Sequence, residues 1–249
     1  MNLLDTYSGT DCIMTLELAP RPTRRRARAG LFFQGAAMPS EPSTKRAVAF
    51  VDGQNLYHSV REAFGYTYPN YDVSALSRNI CRSKGWELLQ VRFYTGIPDS
   101  SDDPFWSAFW VNKLRVLSWQ QAHVYSRPLR YRNKRVTLPD GTAHTFLAGE
   151  EKGIDVRIAI DVIRMAHHKE YDVAVIFSQD QDLSEVAQEI RAIAKEQDRW
   201  IKVACAFPMS PTMRNRRGIE KTDWIQIDRA TYDTCLDRRD YRPKSSREE

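Results

Sequence analysis

Two short apolar runs mark the expected centre of the fold. They cover residues 47–51 and 171–177, and polar turn residues follow both of them. Runs of this length are typical of strands that are buried on both faces of a parallel sheet. Asp52 follows the first run directly, and Asp180 follows the second after two residues. Because ligands bind at the carboxyl ends of strands in open α/β sheets, both ends are candidate functional sites.

Helical and strand-like patterns alternate along the rest of the chain. The helical periodicity predicts helices over 55–64, 72–81, 104–122, 153–168 and 183–197. The strand-like stretches cover 86–94, 123–129, 200–207 and 224–228. A turn tripeptide at Pro139-Asp140-Gly141 has strand-like residues on both sides and predicts a β-hairpin. The alternation predicts a three-layer α/β fold, with a mostly parallel sheet of about five strands and a β-hairpin insert.

The two ends of the chain depart from this pattern. Residues 1–37 are rich in Arg and show no sustained periodicity, which predicts a disordered or mis-assigned N-terminal extension with Met38 as an alternative start. Acidic residues within this segment argue against the alternative, a transit peptide. The main domain is therefore expected over 46–236, and a charged tail over 237–249.

Composition narrows the class of protein. Of the 249 residues, 42% are hydrophobic, which is enough for a globular domain with a sizeable core. The net charge of +5 permits a polyanionic partner but excludes a histone-like polycation. The four cysteines lack zinc-ligand spacing and predict free thiols in the cytoplasm. No apolar run is long enough to span a membrane, so we expect no membrane partner.

Carboxylates gather at the predicted ligand edge of the sheet. Asp52 and Asp180 follow the two apolar strands, and Asp182 comes two residues later. Asp155 lies in the first turn of a helix whose N-terminus faces the same edge. Ionised carboxylates that lie close together repel each other, which favours a bound cation, and oxygen-only ligands favour Mg²⁺ or Mn²⁺. The alternative is that these acids only cap helices and complement their dipoles.

Three motifs resemble a known family. They are Val51-Asp52-Gly-Gln-Asn55-Leu-Tyr57, Glu151-Lys152-Gly153-Ile-Asp155-Val and Ser178-Gln-Asp180-Gln-Asp182-Leu. In this order they resemble the NYN domains of the PIN-like nuclease superfamily, in particular the bacterial LabA-like branch. The resemblance implies a Rossmann-like PIN fold and a metal-dependent ribonuclease that acts as an endonuclease.

The resemblance also implies roles for single residues. It implies that the metal-binding acids are Asp52, Asp155, Asp180 and Asp182. Asn55 matches a polar residue that supports the first acid or contacts the scissile phosphate. Asp161 matches a further acid, but it lies about 240° round the helix from Asp155, so we expect it to support the site indirectly, as we do for Ser178.

One part of the third motif departs from the family. The family usually has a small residue, often Gly, between the serine and the first aspartate of this motif. In this chain Gln179 stands there and Gln181 follows the aspartate, and both are bulky and polar. Side chains of this size can reshape the access of a substrate.

A basic cluster in and beside the hairpin is the predicted RNA contact. Its members are Arg127, Arg130, Arg132, Lys134 and Arg135, with Lys152 nearby in sequence. Basic side chains neutralise phosphates, and interleaved tyrosines can stack on unpaired bases. The alternative is a solvated hairpin face. The predicted partner is thus RNA, single-stranded or structured, and a homodimer is left open. The alternative function is that of a non-catalytic RNA-binding or regulatory NYN protein.

Overall fold

The computed structural model describes residues 39–139 and 141–243, and for Leu147 the backbone alone. The predicted extension over 1–37 and the last six residues of the charged tail lie outside these residues. The strands are β1 Lys45–Asp52, β2 Trp86–Ile97, β3 His123–Pro128, β4 Arg130–Thr137, β5 Ala143–Glu150, β6 Val173–Phe177, β7 Lys202–Pro208 and β8 Asp223–Ile227. The helices are α1 Gly53–Phe64, α2 Val73–Ser83, α3 Pro104–Trp119, α4 Ile154–His167, α5 Ser184–Glu196 and α6 Arg229–Asp233.

A parallel sheet of six strands forms the centre of the fold. Its strand order is β3-β2-β1-β6-β7-β8, and every neighbouring pair is parallel. β4 and β5 form a separate antiparallel pair. The predicted α/β fold with a hairpin insert is therefore confirmed, and the sheet has one strand more than expected.

β1 separates two apolar cores. Ala47, Ala49 and Val51 pack in one core with side chains of α1, α2 and α3. Val48 and Phe50 pack in the other core with side chains of α4 and α5. Because successive side chains of a strand point to opposite faces, helices cover both faces of the sheet and give the predicted three layers.

The strand order reverses between β1 and β6. After β1 the chain adds β2 and β3 on one side of the sheet, and β6, β7 and β8 follow on the other side. Val51 pairs with Phe177, so the chain leaves both strands at the same level. A reversal of this kind opens a crevice at the carboxyl ends of the two strands, where open α/β sheets bind ligands.

Two further features bear on the sequence predictions. Within residues 39–139 and 141–243, no helix is both long and apolar enough to cross a membrane. Cys81, Cys205 and Cys235 are buried free thiols, and burial raises the pKa of Cys81 and of Cys205 to about 12. Thiols with such a raised pKa are poor nucleophiles.

Candidate carboxylate site

Four carboxylates line one open cleft at the reversal point of the sheet. The cleft has a volume of about 370 Å³, and its acidic residues are Asp52, Glu151, Asp155 and Asp180. Lys152 and Gly153 complete the side that α4 forms. The structure thus brings three of the predicted acids together and adds a fourth, Glu151, to which the sequence had assigned no role.

Asp52 is the most deeply placed of these acids. It caps α1, where its Oδ1 accepts a hydrogen bond from the Asn55 backbone N–H at 3.0 Å. The side chain is largely buried, and this burial raises the pKa of Asp52 to about 6. The hydrogen bond from Asn55 opposes the rise, whereas the negative charges of Asp180 and Asp155 add to it. Burial and the neighbouring negative charges destabilise the ionised form of this carboxylate, and a nearby cation would stabilise it.

Glu151 has a still more perturbed environment. Burial, together with the charges of Asp52 and Asp155, raises the pKa of Glu151 to about 8. Its Oε1 atom is fully buried and has no hydrogen-bond partner among the described residues. β5 ends at Glu150, so Glu151 lies where the hairpin joins the turn into α4. Its place beside Lys152 in the second motif was the available sequence signal.

α4, which carries Asp155 in its first turn, begins with an unusual backbone turn. Gly153 precedes the helix with a φ of 73°, in the left-handed region that favours glycine. Among the described residues, no side chain caps the backbone N–H groups at this helix start. A Cβ atom at Gly153 would lie 2.9 Å from a guanidinium nitrogen of Arg127, so that arginine lies directly against the turn. Gly153 therefore allows Arg127 to approach the edge of the carboxylate cleft.

Asp180 and Asp182 take different positions. The Asp180 backbone N–H donates to Ser178 Oγ at 3.2 Å, which fixes the turn after β6. Asp180 Oδ1 in turn accepts from the Asp182 backbone N–H at 3.0 Å. Asp182 itself lies in a short 3₁₀ turn, is exposed, and does not line the cleft. The structure therefore separates Asp182 from the other three predicted acids.

Asn55 connects the two strand ends. Its side-chain oxygen accepts from the Gln179 backbone N–H at 2.9 Å, although the two residues lie 124 positions apart. Its own backbone N–H donates to Asp52 Oδ1 at 3.0 Å. Asn55 thus fixes the start of α1 against the turn after β6, and it holds the two sides of the site in register.

Gln179 and Gln181 face a loop and do not line the carboxylate cleft. Gln179 is buried, accepts from Ser59 Oγ at 2.9 Å, and donates to the Arg217 carbonyl at 3.0 Å. Gln181 donates to the Gly218 carbonyl at 3.0 Å. Both side chains therefore tether the loop between β7 and β8 to the turn after β6.

Asp161 lies in a buried ion-pair network away from the cleft. It forms ion pairs with Arg92 and Arg157, each at 3.0 Å, and accepts from Tyr94 Oη at 2.9 Å. Burial alone would raise the pKa of Asp161, but these donors outweigh it and lower the pKa. The Arg157 guanidinium also stacks over the Tyr125 ring, 5.0 Å from its centroid. The network fixes α4 to β2 and β3, and Asp161 does not line the cleft.

The predicted basic cluster divides between the cleft and the hairpin. Lys152 lines the cleft, and Arg127 lies against Gly153. The other members lie on β4 and are exposed: Arg130, Arg132, Lys134 and Arg135. Lys134 pairs with Glu150 at 3.0 Å, which partly neutralises the hairpin. The base of the hairpin joins the cleft because β5 leads directly into Glu151.

The fold and the site together define a class of protein. A Rossmann-like sheet with acids at its reversal point is consistent with a PIN-like fold. The sequence profile of the NYN domain matches residues 46–198, which is more than half of the chain. The chain belongs to the NYN domain family. This family is part of the PIN-like nuclease superfamily, which suggests a nuclease that acts on RNA.

Comparisons with other proteins add only distant similarities. A protein of unknown function from Vibrio parahaemolyticus RIMD 2210633 is 20% identical, with a TM-score of 0.47 over 76% of this chain and 97% of that one. MurG from Acinetobacter baumannii is 11% identical, with a TM-score of 0.28 over 73% of this chain and 45% of that one. No curated protein matches the chain. These similarities are too remote to bear on function.

Proposed function

We propose that this protein is a metal-dependent ribonuclease of the LabA-like branch that cleaves RNA phosphodiester bonds internally. The observation that carries the proposal is the convergence of Asp52, Asp155 and Asp180 with Glu151 in one cleft at the reversal point of the sheet. The family supports the substrate class, because NYN domains belong to a nuclease superfamily. The buried free thiols support a cytoplasmic location.

The chemistry of the donors fits a divalent metal ion. All acidic ligands in the cleft supply oxygen atoms, which Mg²⁺ and Mn²⁺ prefer. In the part of the chain that the structure describes, no group of three or more His, Cys, Asp or Glu side chains is arranged to hold an ion. Mg²⁺ retains several of its waters in protein sites, so these acids would bind the ion partly through bound waters. The unpartnered Oε1 of Glu151 and the raised pKa of Asp52 fit a cation nearby.

The proposed roles of the residues follow from their positions. Asp52, Asp155 and Asp180 would hold the metal, directly or through its bound waters, with Asp182 as an outer acid. A bound Mg²⁺ or Mn²⁺ ion would supply neutralisation of the phosphate and activation of water. Asn55 keeps Asp52 aligned with the turn after β6, as its two hydrogen bonds require.

The basic residues near the cleft are proposed to bind the RNA backbone. Lys152 and Arg127 flank the cleft and are suited to the phosphates nearest the reacting bond. The exposed cations of β4 lie farther out and are suited to neighbouring phosphates.

The experiment is a cleavage assay with labelled single-stranded RNA and either Mg²⁺ or Mn²⁺. The wild type is expected to cleave the RNA, and Asp52→Asn and Asp180→Asn are expected to lose most of this activity. Glu87→Gln is the matched control, because it removes one exposed carboxylate at the amino end of β2, opposite the cleft. Equal cleavage by the wild type and both aspartate variants would refute the catalytic assignment.

The alternative is a non-catalytic NYN protein that binds RNA. The open arrangement of the acids, with no group of three arranged around one point in the described residues, is the observation in its favour. RNA binding without cleavage by the wild type in either metal would establish this alternative. Loss of binding on Asp52→Asn would not be expected in that case.

A further inference from the structure

An aromatic groove lies beside the carboxylate cleft. It consists of two adjoining depressions, of about 510 Å³ and about 210 Å³, which share Pro69 and Trp106 as lining residues. Tyr57 and Trp110 line the smaller depression, and Phe105 lines the larger one. The name aromatic groove is used below for these two depressions.

The inner end of the aromatic groove approaches the carboxylate cleft at Gly96. Gln54, which follows Asp52 by two residues, lines the smaller depression. A Cβ atom at Gly96 would lie 3.1 Å from Gln54 Nε2 and 3.2 Å from Glu151 Oε1. Gln54 lines the groove and Glu151 lines the cleft, so the two cavities are neighbours on either side of Gly96.

Two of the aromatic side chains that line this groove are presented to solvent. Tyr68 is 51% exposed and Phe105 is 44% exposed. Trp106 packs edge-on against Phe105 and Phe109, with ring centroids 5.5 Å and 5.1 Å away, and its remaining surface lines both depressions. Single exposed aromatics are common on protein surfaces, but a contiguous group held by the core is not. Such rigid ring faces are suited to stacking against unpaired bases.

The charges at the outer end of the groove also suit a polyanion. Three arginines line it, against two aspartates. Asp240 is already paired with Arg242 at 2.7 Å, and Asp237 lies 3.8 Å from the buried Lys113. Arg238 is exposed and forms no ion pair within the described part of the chain. A free cation beside exposed rings can bind a phosphate while the rings hold bases.

We infer that the aromatic groove binds the unpaired bases of single-stranded RNA that leads into the carboxylate cleft. This inference rests on the proposed function and specifies the substrate as single-stranded at this position. RNA is favoured over an apolar peptide by three features: the groove adjoins the cleft, its rings are exposed, and Arg238 has no ion-pair partner within the described part of the chain. An apolar peptide would not require a free arginine.

Binding without cleavage tests the groove separately from catalysis. A fluorescent, unstructured RNA of about 12 nucleotides, long enough for the site sizes of single-strand binders, is titrated against full-length Asp52→Asn protein in EDTA. In this background Trp106→Ala is expected to weaken binding roughly 5- to 150-fold, the range of one lost base stack. Trp119→Ala is the matched control, because Trp119 lies on the same helix, is 76% exposed and lines neither depression. It is expected to bind as the parent does.

Two further variants and a base-free RNA separate a loss of base stacking from a loss of folding. Trp106 also packs on the core, so Trp106→Phe, which keeps a ring, and Tyr68→Ala, at an exposed position, are measured beside it. Trp106→Phe is expected to restore most of the affinity, and Tyr68→Ala to lower it. An RNA whose bases are removed at several positions should bind the parent more weakly but lose little further affinity in Trp106→Ala.

The outcomes separate this inference from the proposed function. Equal RNA affinity of Trp106→Ala, Tyr68→Ala and Trp119→Ala would overturn the groove assignment, even if the wild type cleaves RNA. Equal losses with intact and base-free RNA would also overturn it, because they would show a contact to the backbone alone. A selective loss in Trp106→Ala would support it, even if the wild type does not cleave.

Discussion

Replacing Glu151 by glutamine is expected to change how the stability of the metal-free protein depends on pH. Burial, with the charges of Asp52 and Asp155, raises the pKa of Glu151 from 4.5 to about 8. The unfolded chain releases this proton near pH 4.5, whereas the folded protein retains it until about pH 8. Between these values the folded state binds more protons, so its stability falls as the pH rises.

The size of the effect follows from the shift. A change of about 3.5 pH units corresponds to an upper limit of about 5 kcal/mol, at about 1.4 kcal/mol per unit. The pKa of Asp52 is also raised, to about 6, partly by neighbouring carboxylates. Counting the shared repulsion once leaves about 2–4 kcal/mol for Glu151. Between pH 5 and pH 9 the free energy of unfolding of the wild type should therefore fall by about this amount more than that of Glu151→Gln.

Urea unfolding in EDTA at several values from pH 5 to pH 9 measures this difference. Glu87→Gln serves as the control, because Glu87 is exposed at the other end of the sheet, and its curve should follow that of the wild type. The free energy of unfolding of Glu151→Gln should decline less steeply than both. If all three decline in parallel, Glu151 is not held in a protonated, buried state and the reasoning fails.

Three other variants test the parts around the cleft. Gly153→Ala is expected to lower stability by about 1–3 kcal/mol, because its φ of 73° strains an alanine and its Cβ would meet Arg127; an unchanged unfolding temperature would contradict this. Asp161→Asn should lower the free energy of unfolding in urea by about 3–5 kcal/mol, because it leaves the buried charge of Arg92 unpaired. A decrease of less than about 1 kcal/mol would argue against the network. Replacing Lys134 and Arg135 by alanine should reduce the slope of log affinity against log salt by about 1.4 for single-stranded RNA, and an unchanged slope would remove them from the interface.

The two central strands and the acids at their ends could be anticipated from the sequence because their signals are local. The apolar runs at 47–51 and 171–177 are long enough to specify buried strands, and their ends at the sheet edge place Asp52 and Asp180 on one side. Asp155 follows from its place in the first turn of a helix. The number of strands in the sheet differed by one: the patterns marked all six stretches, but the outer strands β3 and β8 are more exposed than β6 and lack an apolar run that would fix them in the sheet.

The environment of Glu151 could not be anticipated in the same way. The hairpin before it is mostly exposed, so no apolar pattern fixes where β5 ends. Its burial arises from the approach of β1 and Gly96, which lie far away in sequence. A raised pKa of this origin is a property of the folded chain alone, since it depends on distances to Asp52 and Asp155.

The two glutamines of the third motif illustrate how a residue that departs from a family pattern can leave the site itself open. The sequence indicates only that Gln179 and Gln181 are larger than the residue usually found beside Asp180. In the folded chain their amide groups are bound to Arg217 and Gly218, which lie 37 or 38 positions away. Both side chains therefore pack against the loop between β7 and β8, and neither lines the cleft. The two glutamines thus hold the basic loop between β7 and β8 in place, and they do not narrow the carboxylate cleft.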